Sequence, residues 1–297
     1  MPKWLRTSWQ VVCATLSGFG KDELVVRAAA LAFYTALSFA PLLVLLLWVV
    51  ASLQPEWQAR LVNEISSTIG PRAAEAVKMV IANAKERPGL GDLAAWIGAG
   101  ATLFSASLVF AQLQGALNRV WGLRARPGRA LRGWIRTRLR GMGLLLALAF
   151  LLVVSFAASA VITILVPGDS LALMIVDIIV TLAVFVCVFA ALFHEVPDAI
   201  VEWRDAFAGA GFTVVLFVIG KFALGYYMAH STIGGAYGPA GALVVLLVWV
   251  YYSAIILLVG AELTEAIAEA RGEPIRPNPH ADASATKRKN LPDPETG

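Results

Sequence analysis

Long apolar blocks alternate with shorter polar segments along the chain. Six blocks have about the 20 or more residues that an α-helix needs to cross a hydrocarbon core roughly 30 Å thick. They cover residues 28–53, 90–117, 141–166, 171–193, 206–229 and 240–261. The pattern therefore predicts an all-α integral membrane protein, with a membrane domain of six transmembrane helices over residues 28–270.

The segment before the first block, residues 1–27, carries apolar residues at helical spacing beside Lys3 and Arg6. These apolar residues are Leu5, Trp9, Val12, Leu16 and Phe19. The spacing is typical of an amphipathic helix that lies on the membrane surface, and a plain lead-in helix explains it equally well.

Two further segments lie outside the apolar blocks. Residues 54–89 have two amphipathic stretches broken at Gly70 and Pro71, which predicts an exported helical hairpin between the first two spans. This hairpin would either shield a cavity or simply pack on the span ends. Residues 271–297 are polar and rich in proline and charge, which predicts a disordered cytoplasmic tail.

Composition supports lipid as the solvent. Hydrophobic residues make up 59% of the chain and charged residues 15%, and the mean hydropathy is +0.73. The net charge of +4 is small and favours loop orientation over nucleic-acid binding. The two cysteines and three histidines are dispersed, and there is no glycine-rich phosphate loop or G-x-S-x-G elbow. We therefore expect no enzyme activity, no cofactor and no metal site.

Arginines fix the predicted orientation. The loop over residues 118–140 contains no acidic residue, and its eight arginines are Arg119, Arg124, Arg126, Arg129, Arg132, Arg136, Arg138 and Arg140. Cytoplasmic loops retain positive charge, so this loop is predicted to be cytoplasmic. The turns at 167–170 and 230–239 have no lysine or arginine, as exported turns should. Both termini then lie in the cytoplasm.

Asp177 and Lys221 are ionisable residues inside predicted spans, where a charge is costly unless it is paired or hydrated. Both lie at a similar depth toward the exported side, so they could form an ion pair. The functional interpretation is a site that handles substrate, protons or ions. A structural clasp between the fourth and fifth spans, or a lysine that snorkels outward, is the alternative.

Polar side chains also form one-sided stripes on the first two spans. Tyr34 and Ser38 follow Arg27 on the first span, and Gln114 and Asn118 lie on one face of the second. Together with Lys221 and Asp177, these residues are candidates to line a polar cavity. Hydrogen bonding between helices is the alternative.

Charged residues on the cytoplasmic side suggest two further contacts. Glu262, Glu265 and Glu269 form an acidic face as the last span ends, and they could bridge to the arginine loop or remain solvated. Juxtamembrane arginines are also attracted to anionic lipid headgroups. We therefore expect Arg126, Arg129 and Arg132 either to contact such headgroups or to serve orientation alone.

Several strings resemble the YihY/BrkB family of bacterial inner-membrane proteins. The strings are ALAFYTALSFAP at 30–41, LNRVWG at 117–122, PDAIVEWRDAFAGA from 197, GKFALGYY from 220, and AYGPAGALVVLLVWVYYSAIILLVGAE from 236. The resemblance covers roughly residues 5–270. Pro239 departs from it, because an alanine or serine is more usual there, and this could alter one turn.

The resemblance implies six spans in the bacterial inner membrane and no settled biochemical activity. An older family label, ribonuclease BN, does not fit a chain without a metal-ligand cluster. An association of the family with envelope lipids makes a transporter or lipid translocase the natural active interpretation, with membrane lipids as partners. The alternative is a non-transporting envelope scaffold or assembly protein, and the oligomeric state stays open.

The predicted orientation can be checked with single cysteines in intact cells. A cysteine at Gly128 should resist an impermeant thiol reagent, whereas cysteines at Gly89 and Pro167 should react, because only the latter two positions are predicted to be exported. Labelling of position 128 from outside would overturn the topology.

Overall fold

The computed structural model describes residues 11, 13–15, 17–52, 54–56, 58–59, 62–63, 78, 82, 88–125, 143, 171–230, 239–278 and 281–283. These residues contain five long helices: α1 (Leu24–Ser52), α2 (Pro88–Val120), α3 (Leu171–Glu195), α4 (Trp203–His230) and α5 (Pro239–Ala270). Four short strands also occur in this part of the chain: β1 (Leu123–Ala125), β2 (Ala199–Ile200), β3 (Arg276–Pro277) and β4 (Ala281–Ala283).

The five helices coincide with five of the six predicted spans. By length and composition, four of them are apolar enough to cross a membrane, over Trp96–Val120, Ile178–Glu195, Trp203–Ala223 and Leu243–Ala270. Leu24–Phe39 in α1 is a shorter apolar helix. The predicted third span, 141–166, lies outside the described residues apart from Gly143, and most of the predicted hairpin at 54–89 does too. Both stay predictions.

Proline and glycine mark some of the helix ends. Pro239, the residue that departs from the family pattern, is the first residue of α5, where its missing N–H costs nothing and its fixed φ suits a helix. Gly122 follows the end of α2 with a φ of 60°, a conformation that glycine adopts without steric cost.

The chain divides into two compact units. One comprises Met1–Phe33 and Phe110–Gly297, and the other comprises Tyr34–Val109. The first unit contains the apolar core, which is built around residues with no exposed surface. These include Leu24, Leu117, Trp121, Phe193 and Leu258.

Helix α4 packs against both α3 and α5 within the first unit. Phe217 of α4 lies between the two neighbours, since its ring stacks on Phe185 of α3 at 5.8 Å and meets Trp249 of α5 edge-on at 5.5 Å. Apolar side chains elsewhere on α3 and α4, such as Ile179, Val215 and Phe222, are exposed, as expected of helix faces that meet lipid.

Glycine and threonine bring α4 and α5 into close contact. A Cβ atom at Gly209 would overlap Thr264 Oγ1, and one at Gly260 would overlap Thr213 Oγ1. Each threonine hydroxyl donates to the carbonyl four residues earlier in its own helix, Thr213 to Gly209 and Thr264 to Gly260, at 2.8 Å. Small residues of this kind allow membrane helices to pack backbone against backbone.

Two stretches of the predicted disordered tail, β3 and β4, form strands. β3 pairs antiparallel with β2, so Ala199 lies opposite Pro277, and β4 pairs antiparallel with β1, so Leu123 lies opposite Ala283. Ile275, just before β3, is buried. The polar composition of this segment indicated disorder. Composition could not reveal the strands, because their partners β1 and β2 lie far away in sequence.

The contact between α4 and α5 predicts how a substitution at Gly260 changes the stability of the fold. Gly260→Ala should destabilise the fold by about 1–3 kcal/mol, the usual range for overpacking, because the new methyl group meets Thr213 and Phe193. Thermal unfolding in detergent would measure the loss, and adding Thr213→Ala should restore part of it. Gly211→Ala is the matched control, because its Cβ would meet nothing within 4 Å. Equal stability of the two single variants would contradict the proposed contact.

Candidate functional site

The end of α2 docks against several parts of the first unit. In the LNRVWG string, Trp121 is fully buried and its indole Nε1 donates to the carbonyl of Ala261 on α5 at 3.1 Å. Leu117 and Val120 are buried beside it. This string is therefore the point at which α2 is fixed to α5.

Asn118 in the same string forms a reciprocal pair with Asp198, which lies in the linker between α3 and α4. Asn118 Nδ2 donates to Asp198 Oδ2 at 2.8 Å, and the backbone N–H of Asp198 donates to Asn118 Oδ1, also at 2.8 Å. Gln114, one turn earlier on α2, donates from Nε2 to Asp198 Oδ1 at 3.3 Å. Hydrogen bonds to a carboxylate are stronger than those between neutral groups.

The Asp198 joint, as we call these three residues, also reaches the C-terminal segment. The backbone carbonyl of Asp198 accepts from the N–H of Asn278 at 3.0 Å, immediately beside the pairing of β2 and β3. One residue therefore links α2, the linker between α3 and α4, and the chain beyond α5.

Gln114 and Asn118 were predicted to lie on one face of α2, either lining a polar cavity or hydrogen bonding between helices, and the structure brings both onto Asp198. Sequence reasoning missed Asp198 itself. The only local signal was an acidic residue directly after Pro197 in a short linker, and such a residue is usually solvated. A cavity lined by Gln114 and Asn118 stays a prediction, because their side-chain contacts in the structure are hydrogen bonds within the joint.

The other candidates for that cavity lie elsewhere. Lys221 is exposed on α4, 18 residues after Trp203 and so about 27 Å along the helix from the end where the joint lies. Asp177 lies in α3, but its side chain is outside the described set. The ion pair between Lys221 and Asp177 therefore stays a prediction.

Tyr34 and Ser38 belong to the second unit. Both are partly buried, and Ser38 Oγ donates to the carbonyl of Thr35 at 2.6 Å within the same helix. Their place in a shared cavity stays a prediction as well. Arg126, Arg129 and Arg132 lie outside the described residues.

A second polar group, which we call the carboxyl–arginine cluster, consists of Asp22, Arg27, Arg119 and Glu262. Asp22 lies in the turn before α1, and its Oδ1 is 3.7 Å from Arg119 Nε at the end of α2. Arg27 Nε donates to the backbone carbonyl of Asp22 at 3.0 Å. Glu262 comes from α5, and its carboxyl lies close enough to Asp22 for the two groups to interact electrostatically.

Glu262 is only 4% exposed. It packs against Gly18, where any Cβ atom would overlap its carboxylate oxygens, and the N–H of Asp22 donates to the carbonyl of Gly18 at 2.9 Å. The absence of a side chain at Gly18 therefore makes room for the Glu262 carboxyl one helical turn from Asp22. The acidic face predicted for residues 262, 265 and 269 divides here, since Glu269 is exposed and Glu265 is intermediate.

The cluster is electrostatically unusual. Burial raises the pKa of the Asp22 carboxyl above its ordinary value, against the opposing effects of Lys21, Arg119 and Arg27. Two buried atoms, Arg119 Nε and Glu262 Oε1, make no hydrogen bond to any part of the chain that the structure describes. Buried polar atoms without partners are rare, and they call for a functional or solvent-based explanation.

An ion pair between a buried carboxylate and an exposed arginine lies at the same end of the helices. Asp205, in the first turn of α4, is 1% exposed and pairs with Arg271, which follows the last residue of α5. An acid at a helix N-terminus and a base at a C-terminus also complement the two helix dipoles.

Nearby, His194 at the end of α3 stacks on Trp203 at 4.1 Å, and its Nδ1–H donates to the carbonyl of Val201 at 2.7 Å.

These features define a polytopic α-helical membrane protein whose polar contacts gather at one end of the first unit. The family described as virulence factor BrkB matches residues 15–285, and the chain belongs to that family. The resemblance drawn from the sequence strings is thereby confirmed.

Similar curated proteins are UPF0761 membrane proteins of Xanthomonas axonopodis pv. citri, Xanthomonas oryzae pv. oryzae and Xanthomonas campestris pv. campestris. Each is 27% identical over 261 residues, which cover 86% of this chain and 60% of the relative. The chain therefore spans less than two thirds of the length of these relatives. No solved structure matches it.

If the Asp198 joint holds the elements together, removing the Asp198 carboxylate should cost more stability than removing an exposed acid nearby. Asp198→Ala should destabilise the protein by roughly 1.5–3 kcal/mol, the range for hydrogen bonds to charged groups, because Asn118 and Gln114 lose their acceptors. Thermal unfolding would measure this loss. Glu202→Ala, an exposed acid in the same linker, is the control and should change little. Similar melting temperatures for the two variants would argue against the joint.

Proposed function

We propose that this protein translocates lipid across the bacterial inner membrane, with both termini in the cytoplasm. The observation that carries the proposal is the carboxyl–arginine cluster, in which a carboxyl that is 4% exposed keeps an oxygen without a hydrogen-bond partner among the described residues. The role is non-enzymatic, and the partners are membrane lipids with anionic headgroups.

The free-energy cost of burying these charged groups is the physical reason for assigning the cluster a function. Burying a charged or polar group without full hydrogen bonding is expensive, and a cluster that served only stability could be replaced by apolar packing. Ionisable residues within membrane-spanning helices most often mark substrate or ion pathways. Four charged residues from α1, α2, α5 and the turn before α1 converge here, so a change in protonation or ligand could alter how these elements pack.

Arginine supplies the lipid specificity in this proposal. Arg119 is partly exposed, so its guanidinium can meet both the cluster and a headgroup phosphate. Arg126, Arg129 and Arg132 follow it in sequence and add positive charge that attracts an anionic surface, at about 1 kcal/mol for each residue near the headgroups.

A non-transporting scaffold is the second candidate. The close contacts of α4 with α5 and the Asp198 joint favour it, because both fix helices in one arrangement. A transporter needs at least one element that moves, and these two contacts would be the part that stays fixed.

Translocation can be tested in proteoliposomes that carry a phospholipid with a fluorescent acyl chain. Dithionite bleaches the outer leaflet only, so translocation should expose the inner-leaflet label to bleaching. Glu262→Gln and Arg119→Gln should each slow the transfer by roughly tenfold, which corresponds to about 1.4 kcal/mol in the barrier. Glutamine at positions 126, 129 and 132 together should slow an anionic lipid more than a zwitterionic one.

Glu269→Gln is the matched control, because this glutamate lies two turns further along α5 and is exposed. It should leave the rate unchanged. If the wild-type protein bleached no faster than protein-free liposomes, lipid translocation would be excluded and the scaffold would be favoured.

A further inference from the structure

We propose that Asp22 and Glu262 form a proton-binding site that holds one proton between the two carboxyl groups at neutral pH. The proton is the ligand, and it would give the proposed translocase a coupling ion, in which respect the inference rests on the proposed function. The site itself can be tested without any transport assay.

The first argument is hydrogen-bond chemistry. The Glu262 carboxyl fills the space beside Gly18, and the N–H of Asp22 donates to the carbonyl of Gly18 one helical turn away, so the two carboxyl groups are neighbours. Ionised carboxylates are acceptors only, so a hydrogen bond between the two groups requires a proton on one of them. Two neighbouring carboxyls in a poorly solvated site therefore share a proton rather than ionise together.

The second argument is the placement of Glu262. It is 4% exposed, it fills the space beside Gly18, and its Oε1 makes no hydrogen bond among the residues that the structure describes. A buried and ionised carboxylate with an unfilled oxygen is strongly disfavoured, whereas a neutral carboxylic acid is tolerated at much lower cost.

The third argument is the set of charges that face the pair from each packed element. The turn before α1 contributes Lys21 and Glu23, α1 contributes Arg27, α2 contributes Arg119, and α5 contributes Glu265. Arg27 is 3.7 Å from Glu23, and Arg119 is 3.7 Å from Asp22. Asp22 thus has an arginine partner of its own, so the proton resides on Glu262 while Asp22 stays ionised.

This arrangement differs from a simple ion pair in one respect. Release of the proton would place a second negative charge beside Asp22, whose Oδ1 lies 3.7 Å from Arg119 Nε at the end of α2. Arg119 directly precedes the buried Val120 and Trp121 at the docked end of α2. Proton release would therefore strengthen the negative field that acts on that end of α2 through Asp22 and Arg119.

Infrared difference spectroscopy tests the site on the full-length protein in nanodiscs. At neutral pH the wild-type protein should show the C=O stretching band of a protonated carboxylic acid, because ordinary carboxyls with pKa values of about 4 are ionised there. Raising the pH should remove the band. Glu262→Gln should abolish it, and Asp22→Asn should shift or abolish it, because the hydrogen-bond partner changes.

Glu269→Gln is the control and should leave the band unchanged, and circular dichroism should show the same helix content in all variants. A wild-type spectrum without the band at neutral pH would overturn the site, and so would an unchanged band in either cluster variant. Lipid translocation without the band would overturn the proton site alone, while the band without translocation would overturn the proposed function alone.

Discussion

The close approach of α4 and α5 is the contact on which the rest of the first unit depends. Gly209 faces Thr264 and Gly260 faces Thr213, so each helix presents a glycine where the other presents a hydroxyl. Both threonine hydroxyls donate within their own helices, so neither of these two donors is left unpaired at the contact. Association between membrane helices depends on such packing, since lipid supplies no hydrophobic drive between them.

This contact also sets the direction of Glu262. Gly260 and Thr264 are four residues apart and lie on one face of α5, and a residue midway between them points about 200° away from Gly260. Glu262 therefore faces away from α4 and toward Gly18 and Asp22. The same apolar packing that fixes the helix pair thus carries a carboxyl group into a site that water reaches poorly.

The polar contacts divide into two kinds. In the Asp198 joint, both carboxylate oxygens accept hydrogen bonds and the backbone on each side is paired, so the group is well satisfied and suited to holding elements together. In the carboxyl–arginine cluster, a donor and an acceptor remain unfilled among the described residues. For this reason the proposed proton site is placed in the cluster, and the joint is assigned the role of holding elements together.

The sequence by itself determined the membrane class, the position of five helices and the family, because apolar block length and helix-end strings such as LNRVWG are local properties that lipid enforces. It also placed Gln114 and Asn118 on one face, but it gave no partner for them. Tertiary structure decided that their partner is Asp198, that Glu262 is buried while Glu269 is exposed, and that residues beyond α5 pair with β1 and β2. These outcomes join residues about 80 or more positions apart, and no local pattern encodes which distant group will arrive at a given face.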